Sequence, residues 1–283
     1  MSSLSAVVRK QVESALATRH PSALTVYERQ RPECFSSGVP QLDGLTGLGG
    51  IPRGALTEIC GPASSGRTSV MTSLLAEVTR QEEFCALVDA SDTFSPHSAA
   101  EAGVDLQRLL WVRCSESVRQ QETFGKKATE RKSLGRLEQT LKTTDQLLQS
   151  GGCGLIVVDL GELSPAIARR VPLTSWFRFR RAVENTRTAL VVIEQEAYAR
   201  TCATLVLQLK ATDRQAKWSS LLSPEFYSTS PFRCAVPFTH SRLLRGLEIE
   251  AEVMRARVGS ELRKPPASVL STQAEWNLAN VAR

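Results

Sequence analysis

The feature that narrows the possible folds most is GPASSGRTSV, residues 61–70, because the segments on either side of it have different periodicities. Before it, ALTEICG (55–61) is a short apolar run that reads as a strand ending in glycine. After it, TSVMTSLLAEVTRQ (68–81) places Val70, Leu74, Leu75 and Val78 at helical spacing. Strand, glycine turn and helix together make a phosphate-binding loop, in which successive backbone N–H groups and the positive end of the helix face the anion. The pattern G-x-x-x-x-G-K-[ST] is met at Gly61, Gly66 and Thr68, but the lysine is Arg67. The candidate phosphate-binding residues are therefore Gly61, Pro62, Ala63, Ser64, Ser65, Gly66, Arg67, Thr68 and Ser69, with the Thr68 hydroxyl as the candidate magnesium ligand.

The rest of the chain alternates in the same way. FCALVDA (84–90), LLWVRC (109–114), GLIVVDL (154–160), ALVVIEQ (189–195) and ATLVLQLK (203–210) read as strands, and their continuous apolar runs suit strands buried on both faces. SLGRLEQTLKTTDQLLQS (133–150) reads as a helix ended by Gly151 and Gly152. GLEIEAEVMRAR (246–257) alternates strictly, with Leu247, Ile249, Ala251 and Val253 opposite Glu248, Glu250 and Glu252, as in a half-exposed antiparallel edge strand. The expected fold is α/β, a mostly parallel sheet flanked by helices with an antiparallel edge. A short amphipathic helix over 4–18 (Leu4, Val7, Val8, Val12, Leu16) precedes it within an N-terminal segment 1–35. The core spans 36–259, residues 211–240 form a loop or hairpin insertion, and 260–283 form a loose tail. Asp159 ends a buried strand where a metal-orienting acid is needed.

With 283 residues the chain can bury a full core without disulfide or metal staples. Its net charge of +6 suits a polyanionic partner, and equally plain solubility. Seven cysteines (34, 60, 85, 114, 153, 202 and 234) show no metal-ligand spacing, and of the three histidines His97 and His240 have no partner cluster. That pattern implies reduced thiols in a cytoplasm. MSSLSAVVRKQVESAL has no long apolar core, and no run approaches the roughly 18 apolar residues of a membrane span, so neither a signal peptide nor a membrane partner is expected.

SSGVPQLDGLTGLGGIPRGALTEICGPASSGRTS resembles the start of the RecA-type ATPase core. The similarity continues through CALVDASDTFSPHSAAEAGVDLQRLLWVRC, GLIVVDLGELSP and TALVVIEQ. The resemblance implies a RecA-like P-loop core that binds ATP and magnesium in DNA repair or recombination, with an N-terminal helix that packs between subunits of a homo-oligomer. It implies that Gln195 senses the γ-phosphate and couples it to DNA. It also implies that Arg255 and Arg257, standing for two lysines, reach a neighbour's nucleotide, and that Asp159 is the Walker B acid.

The departures from that family are chemical. Arg67 is a planar fork in place of a compact ammonium. Ser91 stands where the water-activating glutamate is expected, with Asp92 one residue further on, and Ser95 and Ser98 replace the adenine-contacting aspartate and tyrosine. A positioned base is worth about 10²–10⁴-fold in rate, so efficient hydrolysis is not expected. Of the two DNA-binding loops, the first is shortened to GELSPAIARRVPLTSWFRFRR, and only EAYARTCAT follows Gln195 where the second belongs. Arg169, Arg170, Arg178 and Arg181 are candidate single-stranded DNA contacts, while Trp176, Phe179 and Val183 at i, i+3, i+7 read as a buried helix face. The basic run FGKKATERKSLGR (124–136) reads as a solvated face or loop.

An eroded catalytic set with shortened DNA loops is most similar to the ImuA-type proteins. These are accessory factors of the SOS response that accompany mutagenic polymerase components in translesion synthesis. That resemblance implies an accessory factor that acts through protein contacts, binding ATP as a structural ligand with weak or no hydrolysis. The alternative is a divergent recombinase with DNA-stimulated ATPase activity; a third reading is a regulator with the same ATP fold outside repair, and the bland reading of the phosphate loop itself is a remnant that shapes the fold without ligand.

Overall fold

In the computed structural model the described residues are 32–114, 126–218, 244–257 and 268–273, together with Val7, Val8, Gln11 and Ser14. Met1–Arg31 form one compact unit and Pro32–Arg283 a second. Within the first, Val7, Val8, Gln11 and Ser14 are helical; Leu4, Val12 and Leu16 of the expected helix lie outside the described residues.

In the second unit β1 (Cys34–Phe35) and β2 (Ile51–Pro52) form a small antiparallel pair around α1 (Pro40–Thr46). Next come β3 (Leu56–Cys60), α2 (Arg67–Arg80), β4 (Cys85–Asp89), α3 (Pro96–Glu101), β5 (Leu109–Arg113) and α4 (Lys126–Ser150). The chain continues through β6 (Leu155–Asp159), α5 (Pro165–Ala168), α6 (Leu173–Val183), β7 (Ala189–Glu194), β8 (Leu205–Trp218), β9 (Leu244–Ala256) and β10 (Ser268–Gln273). The main sheet runs β10-β9-β8-β3-β7-β6-β4-β5. From β8 to β5 all pairings are parallel, and β9 and β10 add antiparallel to β8, which is the mostly parallel sheet with an antiparallel edge read from the sequence.

Alternate residues of the inner strands feed two cores, as a pleated sheet covered on both faces requires. Ile59, Leu87, Val157, Val191 and Leu207 face Val70, Leu74, Leu75 and Val78 of α2. Leu56, Ala86, Ile156, Val158, Leu190 and Val192 face Leu137 and Leu148 of α4 and Trp176, Phe179 and Val183 of α6. The Trp176 and Phe179 rings meet edge to face at 6.1 Å. Each such buried side chain contributes about 1.5–3 kcal/mol relative to exposure. α4 stops at Gly151 and Gly152, whose φ values of 66° and 84° are left-handed.

Three expectations change in detail. The basic run 124–136 largely belongs to α4, which begins at Lys126, well before 133. β8 and β9 are longer than read and pair as a hairpin with register shifts, because the β8 pattern carries on past Lys210; the connection 219–243, with Cys234 and His240, lies outside the described residues. The tail expected to be loose contributes β10, whose Ser268 pairs with Ala251 and whose Gln273 pairs with Gly246. Its six residues SVLSTQ have no apolar alternation and follow Pro265 and Pro266, so the sequence carries no strand signal there.

Candidate phosphate-binding site

The parallel strands align so that Cys60 stands opposite Glu194, and Asp89 opposite Asp159. Loops leaving these carboxyl ends therefore share one edge of the sheet, the place where open α/β folds bind ligands. The loop after β3 is shaped by its two glycines. A Cβ on Gly61 would lie 2.4 Å from Ser65 Oγ and 2.5 Å from the Leu209 carbonyl oxygen. Gly66 has φ +88°, and a Cβ there would lie 2.2 Å from Ile249 Cδ1. Gly66 caps α2 with no side-chain hydrogen bond, and the first turn carries no acid. Pro62, Ala63, Ser64, Thr68 and Ser69 are exposed around this uncapped helix end. Ser65 Oγ is buried and has no hydrogen-bond partner among the described residues. An uncapped N-terminus, a close backbone turn and an orphaned hydroxyl fit a phosphate group. Thr68, exposed on the first turn, would be the residue to offer an oxygen to a bound magnesium ion.

Arg67 does not reach over the loop as the motif's lysine would. It is only 6% exposed, and Nη1 donates to the Gly161 carbonyl oxygen at 3.2 Å while Nη2 stands 3.8 Å from Glu162 Oε1. Gly161 N–H in turn donates to Asp159 Oδ1 at 2.9 Å. Burial pushes the Asp159 carboxyl up to about 6, against the pull of the Gly161 N–H and the Arg67 charge. Gln195 Nε2 also donates to the Gly161 oxygen, at 3.0 Å, and to the Leu163 oxygen at 3.1 Å. The phosphate loop, the Asp159 turn and Gln195 thus meet at one backbone carbonyl.

The hydrolytic positions are differently occupied. Ser91 N–H donates to Asp89 Oδ1 at 3.1 Å, and Phe94 N–H donates to Asp89 Oδ2 at 2.9 Å, so Asp89 shapes the turn. Asp92, at φ 57°, accepts from Arg113 Nε and Nη2, each at 2.7 Å, and that guanidinium lies 4.9 Å from the Trp111 ring centroid. Its carboxylate is committed to β5. Ser95 caps α3 by accepting from Ser98 N–H.

Two acids that the sequence reading passed over lie beneath the segment after β7. Glu58 and Glu194 are both fully buried. Glu58 Oε1 accepts from Tyr198 N–H at 2.7 Å and Ala199 N–H at 2.6 Å. Burial raises both carboxyls, Glu194 well above its ordinary value because it also faces the charge of Glu58; both Glu194 oxygens and Glu58 Oε2 are buried without a hydrogen-bond partner among the described residues. The signal was present in both strands, since an acid inside ALTEICG or ALVVIEQ has to be buried.

The predicted basic residues separate into groups. Arg169 pairs with Glu196 at 3.1 Å, Arg170 with Glu130 at 2.5 Å, and Arg178 with Asp145 at 2.8 Å. Arg181 is exposed and makes no ion pair among the described residues. Exposed pairs of this kind are weak, so the three charges remain open to competition by phosphates. Arg255 and Arg257 turn onto the 3₁₀ turn Arg200–Cys202 of their own chain, Arg255 donating to the Arg200 oxygen and Arg257 to the Thr201 oxygen at 2.9 Å. Among the described residues no group of three metal-binding side chains occurs, and all six described cysteines are free thiols.

Residues 6–125 match the model of the RecA N-terminal domain. A crystal structure of the RadB recombinase superposes with a TM-score of 0.53 at 16% identity, covering 83% of this chain and 94% of that one. The fold of the core is that of the RadB structure, and its first part is similar to the RecA N-terminal domain. Protein RecA of Rhizobium rhizogenes (strain K84 / ATCC BAA-868) is 30% identical over 177 residues, covering 58% of this chain and 44% of that protein. Protein RecA of Ectopseudomonas oleovorans is 33% identical over 177 residues, covering 58% of this chain and 45% of that protein. The matched region thus spans less than half the length of these RecA relatives. Among the described residues no helix is long and apolar enough to cross a membrane.

Proposed function

We propose that the chain is a RecA-fold accessory factor of damage-induced translesion synthesis. In this reading it binds ATP with magnesium at the 61–69 loop, turns it over weakly or not at all, and acts through contacts with mutagenic polymerase components and single-stranded DNA. The observation that carries this reading is the segment between β7 and β8. A strand-exchange protein needs a mobile DNA-binding loop there. Here the segment is held down along its length: Gln195 by the Gly161 and Leu163 oxygens, Glu196 by Arg169, and Tyr198 and Ala199 by Glu58. Ser91 in the water-activating position and the inward turn of Arg67 point the same way.

A divergent recombinase with DNA-stimulated ATPase activity is the second reading, favoured by Gln195 standing against the Asp159 turn where a γ-phosphate would be felt. An equilibrium titration with ATP and magnesium, with and without single-stranded DNA, followed for turnover in the same sample, separates the two. The accessory reading expects binding without appreciable hydrolysis. Binding that tightens with DNA and leads to turnover supports the recombinase. No binding up to millimolar ATP leaves the loop as scaffold. A pull-down with translesion polymerase components that recovers nothing counts against the accessory role.

A further inference from the structure

We infer that the 61–69 loop takes a nucleoside diphosphate: it closes on a β-phosphate, and a third phosphate adds nothing to its affinity. This rests on the nucleotide-binding reading of that loop.

In a loop of this pattern the backbone N–H groups cradle the α- and β-phosphates, and the lysine reaches on to the γ-phosphate. The first of these parts is intact. α2 opens on Gly66 without a side-chain cap, and Gly61 and Gly66 let the backbone turn closely. Ser65 Oγ is buried inside the turn, close against Gly61, and has no hydrogen-bond partner among the described residues. A buried hydroxyl without a partner costs free energy that a phosphate oxygen would recover.

Every group that the resemblance brings to the far end of the nucleotide is engaged elsewhere. Arg67 lies behind the loop, where its charge is felt by Cys60 at the end of β3 and by Asp159 at the end of β6. Its fork meets the Gly161 oxygen with Nη1 at 3.2 Å and faces Glu162 with Nη2 at 3.8 Å. That acceptor is fixed without help from Arg67, because Leu160 N–H donates to the Ile193 oxygen at 2.9 Å and Gly161 N–H to Asp159 Oδ1 at 2.9 Å. The approach also needs glycine at 161, since a Cβ there would lie 2.9 Å from Arg67 Nη1. Turning the guanidinium toward a ligand would leave the buried Asp159 carboxyl without its counter-charge, so the bond gained is offset by the one lost. Gln195 Nε2 donates to the Gly161 and Leu163 oxygens, at 3.0 and 3.1 Å. Arg255 and Arg257 donate to the Arg200 and Thr201 oxygens of their own chain. Glu162, with its side chain 58% exposed, adds a carboxylate to the same turn. The cradle for two phosphates therefore stands, while the donors for a third are tied down and an acid stands beside them.

The test titrates AMP, ADP and the β,γ-imido analogue of ATP, each with magnesium, into the full chain, so that turnover does not blur the comparison. Arg67→Lys and Glu162→Gln are measured alongside; the second removes an exposed charge and serves should lysine impair folding. In the wild type the inference expects AMP to bind at least about tenfold more weakly than ADP, and the analogue to bind no tighter than ADP. Arg67→Lys restores a compact ammonium on a flexible stem, and the affinity of the analogue relative to ADP should rise about tenfold. Glu162→Gln should move the same ratio in the same direction, by about threefold. A wild type that holds the analogue more than about threefold tighter than ADP overturns the inference and leaves the nucleotide reading standing. AMP bound as tightly as ADP overturns it too, because the loop then holds no β-phosphate. A ratio unchanged in every folded variant shows that Arg67 does not set the preference, and overturns it as well. If the wild type binds none of the three, the nucleotide reading fails and the inference falls with it, a result distinct from a tighter analogue.

Discussion

Arg67 and Gln195, 128 positions apart, donate to the same oxygen, that of Gly161, at 3.2 and 3.0 Å. The Gln195 side chain can serve two carbonyls only because its amide nitrogen carries two protons. Gln195→Glu places an acceptor-only carboxylate against the Gly161 and Leu163 oxygens, so the variant should lose about 2 kcal/mol or more of stability at pH 7. Acidification should recover part of the loss, because a protonated carboxyl donates once. Urea denaturation at pH 7 and pH 5 measures both effects, and a variant as stable as the wild type at pH 7 would show that these contacts are not maintained.

Asp159 carries a prediction of opposite use at the same turn. Its carboxyl is raised to about 6, so over the range between the ordinary aspartate value and about 6 the folded chain holds a proton that the unfolded chain has released. Stability therefore falls as pH rises through that window. Asp159→Asn should remove this slope and stabilise the protein at pH 7 by up to about 2 kcal/mol, which thermal unfolding across pH 4–8 will show. In the proposed function Asp159 orients the magnesium ion in its ionised form, so affinity for ATP with magnesium should increase as pH rises through about 6, and this dependence should vanish in the variant.

Glu194 and Glu58 are both fully buried, and burial together with the charge of Glu58 raises the Glu194 carboxyl. Glu194 is raised well above its usual range, so its contribution also turns unfavourable as pH rises above the ordinary glutamate value. Glu194→Gln keeps the shape of the side chain and removes the titration. The variant should be about 1–2 kcal/mol more stable than the wild type at pH 8 and nearly equal to it at pH 4. Denaturant midpoints at the two pH values decide it; equal midpoints at pH 8 would mean that the Glu194 carboxyl is not raised.

Trp176 fills the core between α6 and the sheet at 1% exposure, against Phe179. Trp176→Ala should cost about 3–5 kcal/mol, while Phe177→Ala, whose parent ring is 48% exposed on the same helix, should change stability by less than about 1 kcal/mol. Paired thermal melts test the assignment of faces directly.

The parallel sheet was legible because its strands are continuous apolar runs, and α6 because Trp176, Phe179 and Val183 keep helical spacing. The tight turn after β3 was legible from the spacing of Gly61 and Gly66, although two of the groups that leave no room for a side chain there, the Leu209 oxygen and Ile249, are distant in sequence. What the sequence withheld was non-local. The direction of Arg67 depends on a carbonyl 94 positions away, and the union of Glu58 with Glu194 depends on the neighbouring register of β3 and β7. β10 was hidden because six residues with no apolar stripe take their strand identity from β9 alone.

The closeness of Gly66 to Ile249 has one more consequence. The phosphate loop leaves the parallel half of the sheet, yet the side chain pressed against its second glycine belongs to the antiparallel hairpin, nearly two hundred positions downstream. The hairpin is therefore a keystone for the 61–69 loop, the cradle that the proposed function assigns to phosphate. A chain shortened before β9 could still stack β3, β4, β6 and β7, but its cradle would lose the wall that sets its depth, so ligand affinity is a property of the late-arriving edge as much as of the motif that names it.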